Sequence, residues 1–308
     1  MCGLFGFHIY GDAKPKNLAD LTNSLAVQST VRGVDATGIA FNSKGLLRVL
    51  KESKSATKID FKHGDEIKAV IGHTRHSTQG SEKKNYNNHP FYGRAKTRFA
   101  LAHNGVINND KRLRKELNLP STKVETDSYI AVQLIEYKKK LDFESIRFMA
   151  EKIEGSFSFV VLDEKNNVYL VKGDSPLSII HFPRLKMYVF ASTDEILYRS
   201  VIDYPPLLKE IKQGIFEEVE IEEGDILKLC TNGEVEREQF KFDYWCGMHW
   251  YDYGFYSTKT TEDPYDEYIE TLKAVASAYG YSPDEIDHLL KEGFTTDEIE
   301  DYLYGLEV

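Results

Sequence analysis

Met1-Cys2-Gly3-Leu4-Phe5-Gly6-Phe7 opens the chain, and the role given to its second letter decides what kind of fold to expect. Cys is small enough for an aminopeptidase to remove the initiator Met ahead of it, which would leave a thiol and a free α-amine on one residue. A nucleophilic thiol needs a base, and a terminal amine with a pKa near about 8 can serve without a histidine. The plain alternative is a buried structural thiol, a common use of cysteine. From Leu4 onward the stretch runs into a short apolar segment, so this cysteine would stand at the head of a strand.

Working outward, Leu4–Tyr10, Gly38–Phe41, Leu46–Lys51, Ala69–His73 and Thr97–His103 are short apolar or β-branched runs. They are mostly bounded by Gly, Asn, Asp or Pro, the pattern of strands. Ser156–Asp163, Val168–Lys172, Leu177–His181 and Met187–Ala191 continue the series. Glu164-Lys165-Asn166-Asn167 reads as a hairpin turn, which favours antiparallel pairing. Helical spacing marks Leu18–Thr30, Ser128–Lys140 and Asp142–Glu151, and Thr193-Asp194-Glu195 is a capped start for a further helix. Runs of strands with helices outside them predict a layered α+β domain.

The 308 residues suffice for one large domain or two ordinary ones, and 41% hydrophobic with 12% aromatic content is that of a soluble globular chain. No apolar run is long enough to span a membrane, and the N-terminus lacks a basic region followed by an apolar stretch. Cys2, Cys230 and Cys246 match neither a disulfide framework nor a zinc site, which favours a reducing compartment, the cytoplasm; Cys230, read as lying in a strand, and Cys246 are taken as structural. Residues 251–308 carry 15 acidic and 3 basic residues, whereas residues 1–250 are close to balanced at +2. An acidic tail argues against nucleic acid or an anionic membrane as its partner, and leaves a basic partner or a solvated surface.

Composition also suggests boundaries: a main domain over 1–243, an aromatic-rich linker over 244–262 and an acidic helical tail over 263–308. Ser282-Pro283-Asp284-Glu285 and Thr295-Thr296-Asp297-Glu298 both carry the Ser/Thr-x-x-Glu pattern, in which hydroxyl and carboxylate satisfy free amides at a helix start.

Three further segments carry chemistry. Arg32-Gly33-Val34-Asp35-Ala36-Thr37-Gly38-Ile39-Ala40 joins a helix end to a strand. Gly72-His73-Thr74-Arg75-His76-Ser77-Thr78-Gln79-Gly80 leaves a strand and is followed by Asn88-His89-Pro90-Phe91. Leu101-Ala102-His103-Asn104-Gly105-Val106-Ile107-Asn108-Asn109 passes from strand into a turn. Together with the opening, these resemble the glutaminase domain of class II glutamine amidotransferases, members of the N-terminal-nucleophile hydrolase superfamily. They are most similar to the glutaminase halves of amidophosphoribosyltransferase and glucosamine-6-phosphate synthase. The resemblance runs in order from Cys2 to about Arg199, through Thr126-Asp127, Gly155-Ser156-Phe157, Asp174-Ser175-Pro176-Leu177 and Ala191-Ser192-Thr193-Asp194.

The resemblance implies a four-layer α/β/β/α sandwich of two antiparallel sheets. It implies Cys2 as the nucleophile that takes the glutamine carboxamide to a γ-glutamyl thioester and ammonia, with its own α-amine moving the proton. Asn104 and the backbone N–H of Gly105 would stabilise the oxyanion. Arg75 would clamp the substrate α-carboxylate, with Thr78 as a further polar contact, and Asp127 would pair with the α-ammonium. Arg32 and His76 would support the site. Taken singly, Arg75 reads equally as a surface ion pair, Asn104-Gly105 as a hairpin turn and Asp127 as a helix cap. His73, His76, His89 and His103 have no compact metal-ligand spacing and read as structural. The mechanism requires neither metal nor cofactor.

Two differences stand out: sequences like glucosamine-6-phosphate synthase have an aromatic residue after the clamp Arg and a His after the Thr, where this chain has His76 and Gln79. After residue 243 the sequence is too short for a synthase or transferase domain. The expectation is therefore glutamine as substrate and an ammonia-accepting synthase as a separate partner protein, in a chain free to form oligomers. A hydrolase of another γ-glutamyl amide is the neighbouring reading, and a non-catalytic binding protein is the reading if Met1 is retained.

Overall fold

The computed structural model describes residues 2–77, 79–242, 273, 281–291 and 299. The chain divides into two compact units, Met1–His249 and Trp250–Val308. The first contains strands β1 (Gly3–Ile9), β2 (Ala36–Ser43), β3 (Leu46–Glu52), β4 (Ala69–Arg75), β5 (Phe91–Arg94), β6 (Arg98–Ile107), β7 (Gly155–Asp163), β8 (Val168–Lys172), β9 (Ser178–Phe182), β10 (Met187–Ala191), β11 (Glu217–Glu218), β12 (Asp225–Leu229) and β13 (Val235–Gln239). Its helices are α1 (Leu18–Gln28), α2 (Asp110–Glu116), α3 (Tyr129–Tyr137), α4 (Phe143–Lys152), α5 (Asp194–Ile202) and α6 (Pro205–Lys212).

The strands form one sheet in the order β11-β9-β10-β1-β4-β2-β3 and a second in the order β13-β12-β8-β7-β6-β5. Every strand pairing among the described residues is antiparallel. The period-two alternation of a strand explains the layers. On β1, Phe5, Phe7 and Ile9 face a core shared with Leu21 and Leu25 of α1 and Leu197 of α5, while Leu4 faces the opposite way. On β6 and β7, Leu101, Phe157 and Phe159 face a core with Ile130 and Leu134 of α3 and Met149 of α4. Their neighbours Ala100, Ala102, Val160 and Leu162 join Leu4, Ile71 and Phe190 in a third core between the sheets. Helices, sheet, sheet, helices is the four-layer sandwich expected. Each fully buried Leu or Phe contributes on the order of 1.5–3 kcal/mol, so the three cores supply the main driving force.

The opening stretch sits at the centre of the first sheet. Gly6 lies between β4 and β10, where a Cβ would stand 2.1 Å from the Val70 carbonyl oxygen and 2.5 Å from the Phe190 ring. Only glycine admits both neighbours there.

Local signals placed most elements within a residue or two, and the differences have physical causes. Helix α1 ends at Gln28, and Ser29–Arg32 continues as a 3-10 turn. The expected turn at Asn104-Gly105 is instead strand, because β6 runs on to Ile107 against β7. Cys230 lies just past the end of β12 rather than in a strand. Strand β13, Val-Glu-Arg-Glu-Gln, is an exposed edge strand whose charges hide it from hydrophobic patterning. Helix α2 presents Leu113 as its single buried apolar side chain and so lacks an amphipathic stripe.

In the second unit, α7 (Pro283–Lys291) begins with the predicted capping box: Ser282 N–H donates to Glu285 Oε2 at 2.7 Å, and Glu285 N–H donates to Ser282 Oγ at 3.3 Å. Ile286 is buried with Ile299 against Tyr281, Leu289 and Leu290. The Thr295–Glu298 box, Cys246 and the aromatic-rich segment lie outside the described residues. Among the described residues no helix is long and apolar enough to cross a membrane.

Candidate active site

Antiparallel pairing of β1 with β4 sets Gly3 opposite Thr74, so Cys2 and Arg75 emerge at the same end of the first sheet. Pairing of Ala36 with Arg75 brings the loop before β2 to that end as well. Within the loop, Arg32 Nε donates to the Cys2 carbonyl oxygen at 2.8 Å, and Asp35 Oδ2 accepts from the Ser77 N–H at 2.7 Å. The backbone around Cys2 and the segment leaving β4 are thus tied to one loop.

The Cys2 thiol donates to the His76 carbonyl oxygen at 3.6 Å. Burial pushes its pKa up; the hydrogen bond and the nearby Arg75 charge pull it down, and Asp127 opposes them. Cys2, Arg75 and Asp127 therefore lie within electrostatic reach of one another. His76 serves this arrangement through its backbone carbonyl; its ring is 58% exposed and stands 4.0 Å from Asp35. Thr78 lies outside the described residues.

Arg75 is 3% exposed, yet among the described residues it forms no ion pair. Nη1 donates to Asn88 Oδ1 at 2.7 Å, and Nη2 donates to the carbonyl oxygens of Gln79 at 2.6 Å and Gly80 at 2.8 Å. The surface ion-pair reading is thereby removed. Its direct partners are all neutral acceptors, while the carboxylates of Glu82, Asp35 and Asp127 favour its charge from farther off.

Asp127 stands before α3 and is 7% exposed. Its Oδ2 accepts from the Ile107 N–H at 2.6 Å and its Oδ1 from the Ser128 hydroxyl at 3.2 Å. It does not cap α3, whose start has no side-chain cap. The carboxylate is instead fastened to the end of β6, the strand that carries Asn104 and Gly105.

Asn104 is 1% exposed, and its Nδ2 donor has no partner among the described residues. An unmade buried hydrogen bond costs about 1–3 kcal/mol. Gly105 has φ +134°, and a Cβ on it would lie 1.9 Å from the Ser156 carbonyl oxygen. Glycine is required by both conformation and space.

Behind these groups three buried imidazoles join the sheets. His73 on β4 donates from Nε2 to the His103 carbonyl oxygen on β6 at 3.0 Å. His103 Nδ1 lies 2.9 Å from the Ser128 oxygen, and since that hydroxyl donates to Asp127, the imidazole is the donor in this contact. The His89 ring packs 4.1 Å from His73 and 4.3 Å from Phe91. Burial holds all three below the ordinary histidine range, His73 at about 3. They are neutral spacers, and among the described residues no group of His, Cys, Asp and Glu is arranged to hold a metal ion.

Sequence reasoning assigned no role to Asn88, whose side chain orients Arg75. The available signal was the polar run Asn85–Asn88 before His89-Pro90, too many asparagines for a plain turn.

Residues 73–199 match the family described as a glutamine amidotransferase domain. The isomerizing glutamine–fructose-6-phosphate aminotransferases of Bacillus anthracis and Sulfurisphaera tokodaii are 35% and 32% identical over 187 and 188 residues, in each case 58% of this chain. The match covers 30% and 31% of those relatives, so the chain spans about a third of their length. Among solved structures, the glutamine phosphoribosylpyrophosphate amidotransferase of B. subtilis complexed with ADP and GMP is similar at TM-score 0.61 and 22% identity. It covers 79% of this chain and 50% of its own. The allosteric regulatory enzyme of purine biosynthesis gives TM-score 0.60 and 21% identity over the same shares. These structural likenesses concern the fold.

Proposed function

We propose that the chain carries a class II glutamine amidotransferase domain of the N-terminal-nucleophile hydrolase type and hydrolyses the side-chain amide of glutamine through Cys2, a reading supported by the match of residues 73–199 to a glutamine amidotransferase domain. The observations that carry the reading are the Cys2 thiol and the buried Arg75 side chain at one end of the first sheet, with the buried Asp127 carboxylate fastened to the end of β6.

In this reading Met1 is removed, and the freed α-amine of Cys2 takes the thiol proton as Sγ attacks the glutamine Cδ. The carboxamide oxygen becomes an oxyanion that accepts from Asn104 Nδ2 and the Gly105 N–H, a contribution worth about 10²–10³ in rate per donor. Collapse breaks the C–N bond, the α-ammonium returns its proton to the leaving nitrogen, and ammonia departs. Water then cleaves the γ-glutamyl thioester by the reverse proton path. Arg75 binds the α-carboxylate, with Thr78 as an added contact, and Asp127 binds the α-ammonium. Arg32 and the His76 carbonyl hold the nucleophile.

The reading extends to residues 1–243 as the catalytic domain, 244–262 as a connector and 263–308 as an acidic helical tail. It further takes the ammonia to an acceptor on a separate synthase, in keeping with the amino-group transfer that the relatives' name, glutamine–fructose-6-phosphate aminotransferase, carries. A cytoplasmic setting is supported by the free thiols of Cys2 and Cys230. The test is incubation of protein whose intact mass shows loss of Met1 with glutamine, followed by assay of glutamate and ammonia. Release that Cys2→Ala abolishes is expected; no release, alone or with a partner, would sink the reading.

A further inference from the structure

The Arg75 guanidinium, which forms no ion pair among the described residues, bonds two backbone carbonyls and one neutral side chain, that of Asn88. Asn88 is 1% exposed and its polar atoms are all engaged. Its Oδ1 accepts from Arg75 Nη1 at 2.7 Å, and its Nδ2 donates to the Glu82 carbonyl oxygen at 2.8 Å and to Asn85 Oδ1 at 3.1 Å. Its own carbonyl oxygen accepts from Lys51 Nζ at 2.6 Å. The amide has no freedom to flip: a guanidinium can only donate and a carbonyl can only accept, so the oxygen must face Arg75 and the nitrogen must face Glu82.

Two cations thus meet one asparagine, and among the described residues neither forms an ion pair. Burial pushes the Lys51 ammonium down to about 8, with the Arg75 charge adding to the effect. An acid at position 88 would relieve both cations and would also fill the guanidinium with a permanent carboxylate. An apolar residue would leave the fork unaimed.

We propose that Asn88 is a positioning residue for the α-carboxylate subsite: its neutral amide aims the Arg75 guanidinium without neutralising it. The inference rests on the reading that Arg75 holds the carboxylate of glutamine.

The test compares Asn88→Asp, Asn88→Ala and Asn88→Ser with the unsubstituted, Met-processed full chain. Steady-state hydrolysis of glutamine and calorimetric binding of glutamate are measured for each. Asn88→Asp is expected to raise KM for glutamine and Kd for glutamate by about 10- to 100-fold with kcat nearly unchanged, as for loss of a charge-assisted contact made equally in ground and transition states. A γ-glutamyl amide whose α-carboxylate is itself blocked as an amide should lose nothing. Asn88→Ala and Asn88→Ser should raise KM by roughly 3- to 10-fold, because the charge survives but its aim does not. These neutral variants decide the matter if the Asp variant fails to melt cooperatively. Unmoved KM and Kd, or equal losses with the free and the blocked α-carboxylate, would overturn the inference alone. An unsubstituted chain that binds neither glutamine nor glutamate overturns the reading beneath it, and the inference with it.

Discussion

Arg32 donates from Nε to the backbone oxygen of Cys2 at 2.8 Å, across thirty residues of sequence. The contact fixes the peptide unit that carries the thiol. Replacing Arg32 by Met keeps the apolar stem and removes the donor. The thiol would then sample orientations away from the carboxamide, lowering kcat by about tenfold or more while KM stays nearly constant. Steady-state kinetics on glutamine checks this.

Asn104 and Gly105 are neighbours with opposite expected signatures. Asn104→Ala removes a donor that has no partner among the described residues, so stability should change by less than about 1 kcal/mol while kcat falls about 10²–10³-fold. Gly105→Ala forces a Cβ toward the Ser156 carbonyl at φ +134° and should cost at least about 2 kcal/mol of stability. Denaturant melts and activity measured on both variants separate the two effects.

The buried histidines predict acid sensitivity. Their native pKa values are depressed, so below the ordinary value near 6.5 the unfolded chain binds protons that the native chain does not. Their contribution is fully present above about pH 6.5 and is lost as pH falls toward the native value, about 3 for His73. Each contributes a slope of up to about 1.4 kcal/mol per pH unit in that window. Unfolding free energy measured from pH 7 to 4.5 should fall steeply, and His89→Leu should flatten the slope.

In the second unit, Ser282→Ala breaks the capping box at α7 and should cost about 1 kcal/mol locally. Hydrogen exchange over Asp284–Ile286 in the full chain should quicken roughly fivefold.

The legible part of the fold was the part written in local periodicity. Val168–Lys172 and Met187–Ala191 match their strands end to end because their side chains are buried in the sandwich and bounded by turn residues. Phe91–Arg94 and Val235–Gln239 went unread: one buries only alternate small and large residues over four positions, and the other is a charged edge. The candidate site followed the same division. Cys2, Arg32, Arg75, Asn104, Gly105 and Asp127 were named through the resemblance that their motifs carry in order, since taken singly Arg75, Asn104-Gly105 and Asp127 each read equally well as structural.

By itself, then, the sequence determined the layered α+β class, the strand and helix segments and the inventory of reactive groups, because these depend on side chains a few positions apart and on the intrinsic chemistry of each. The tertiary structure alone decided that the Cys2 thiol meets the His76 carbonyl, that Asp127 is fastened to Ile107 rather than to a helix start, and that the Asn88 amide meets the Arg75 guanidinium. Those contacts arise where sheet pairing brings distant backbone together, and no local pattern encodes which donor will then meet which acceptor.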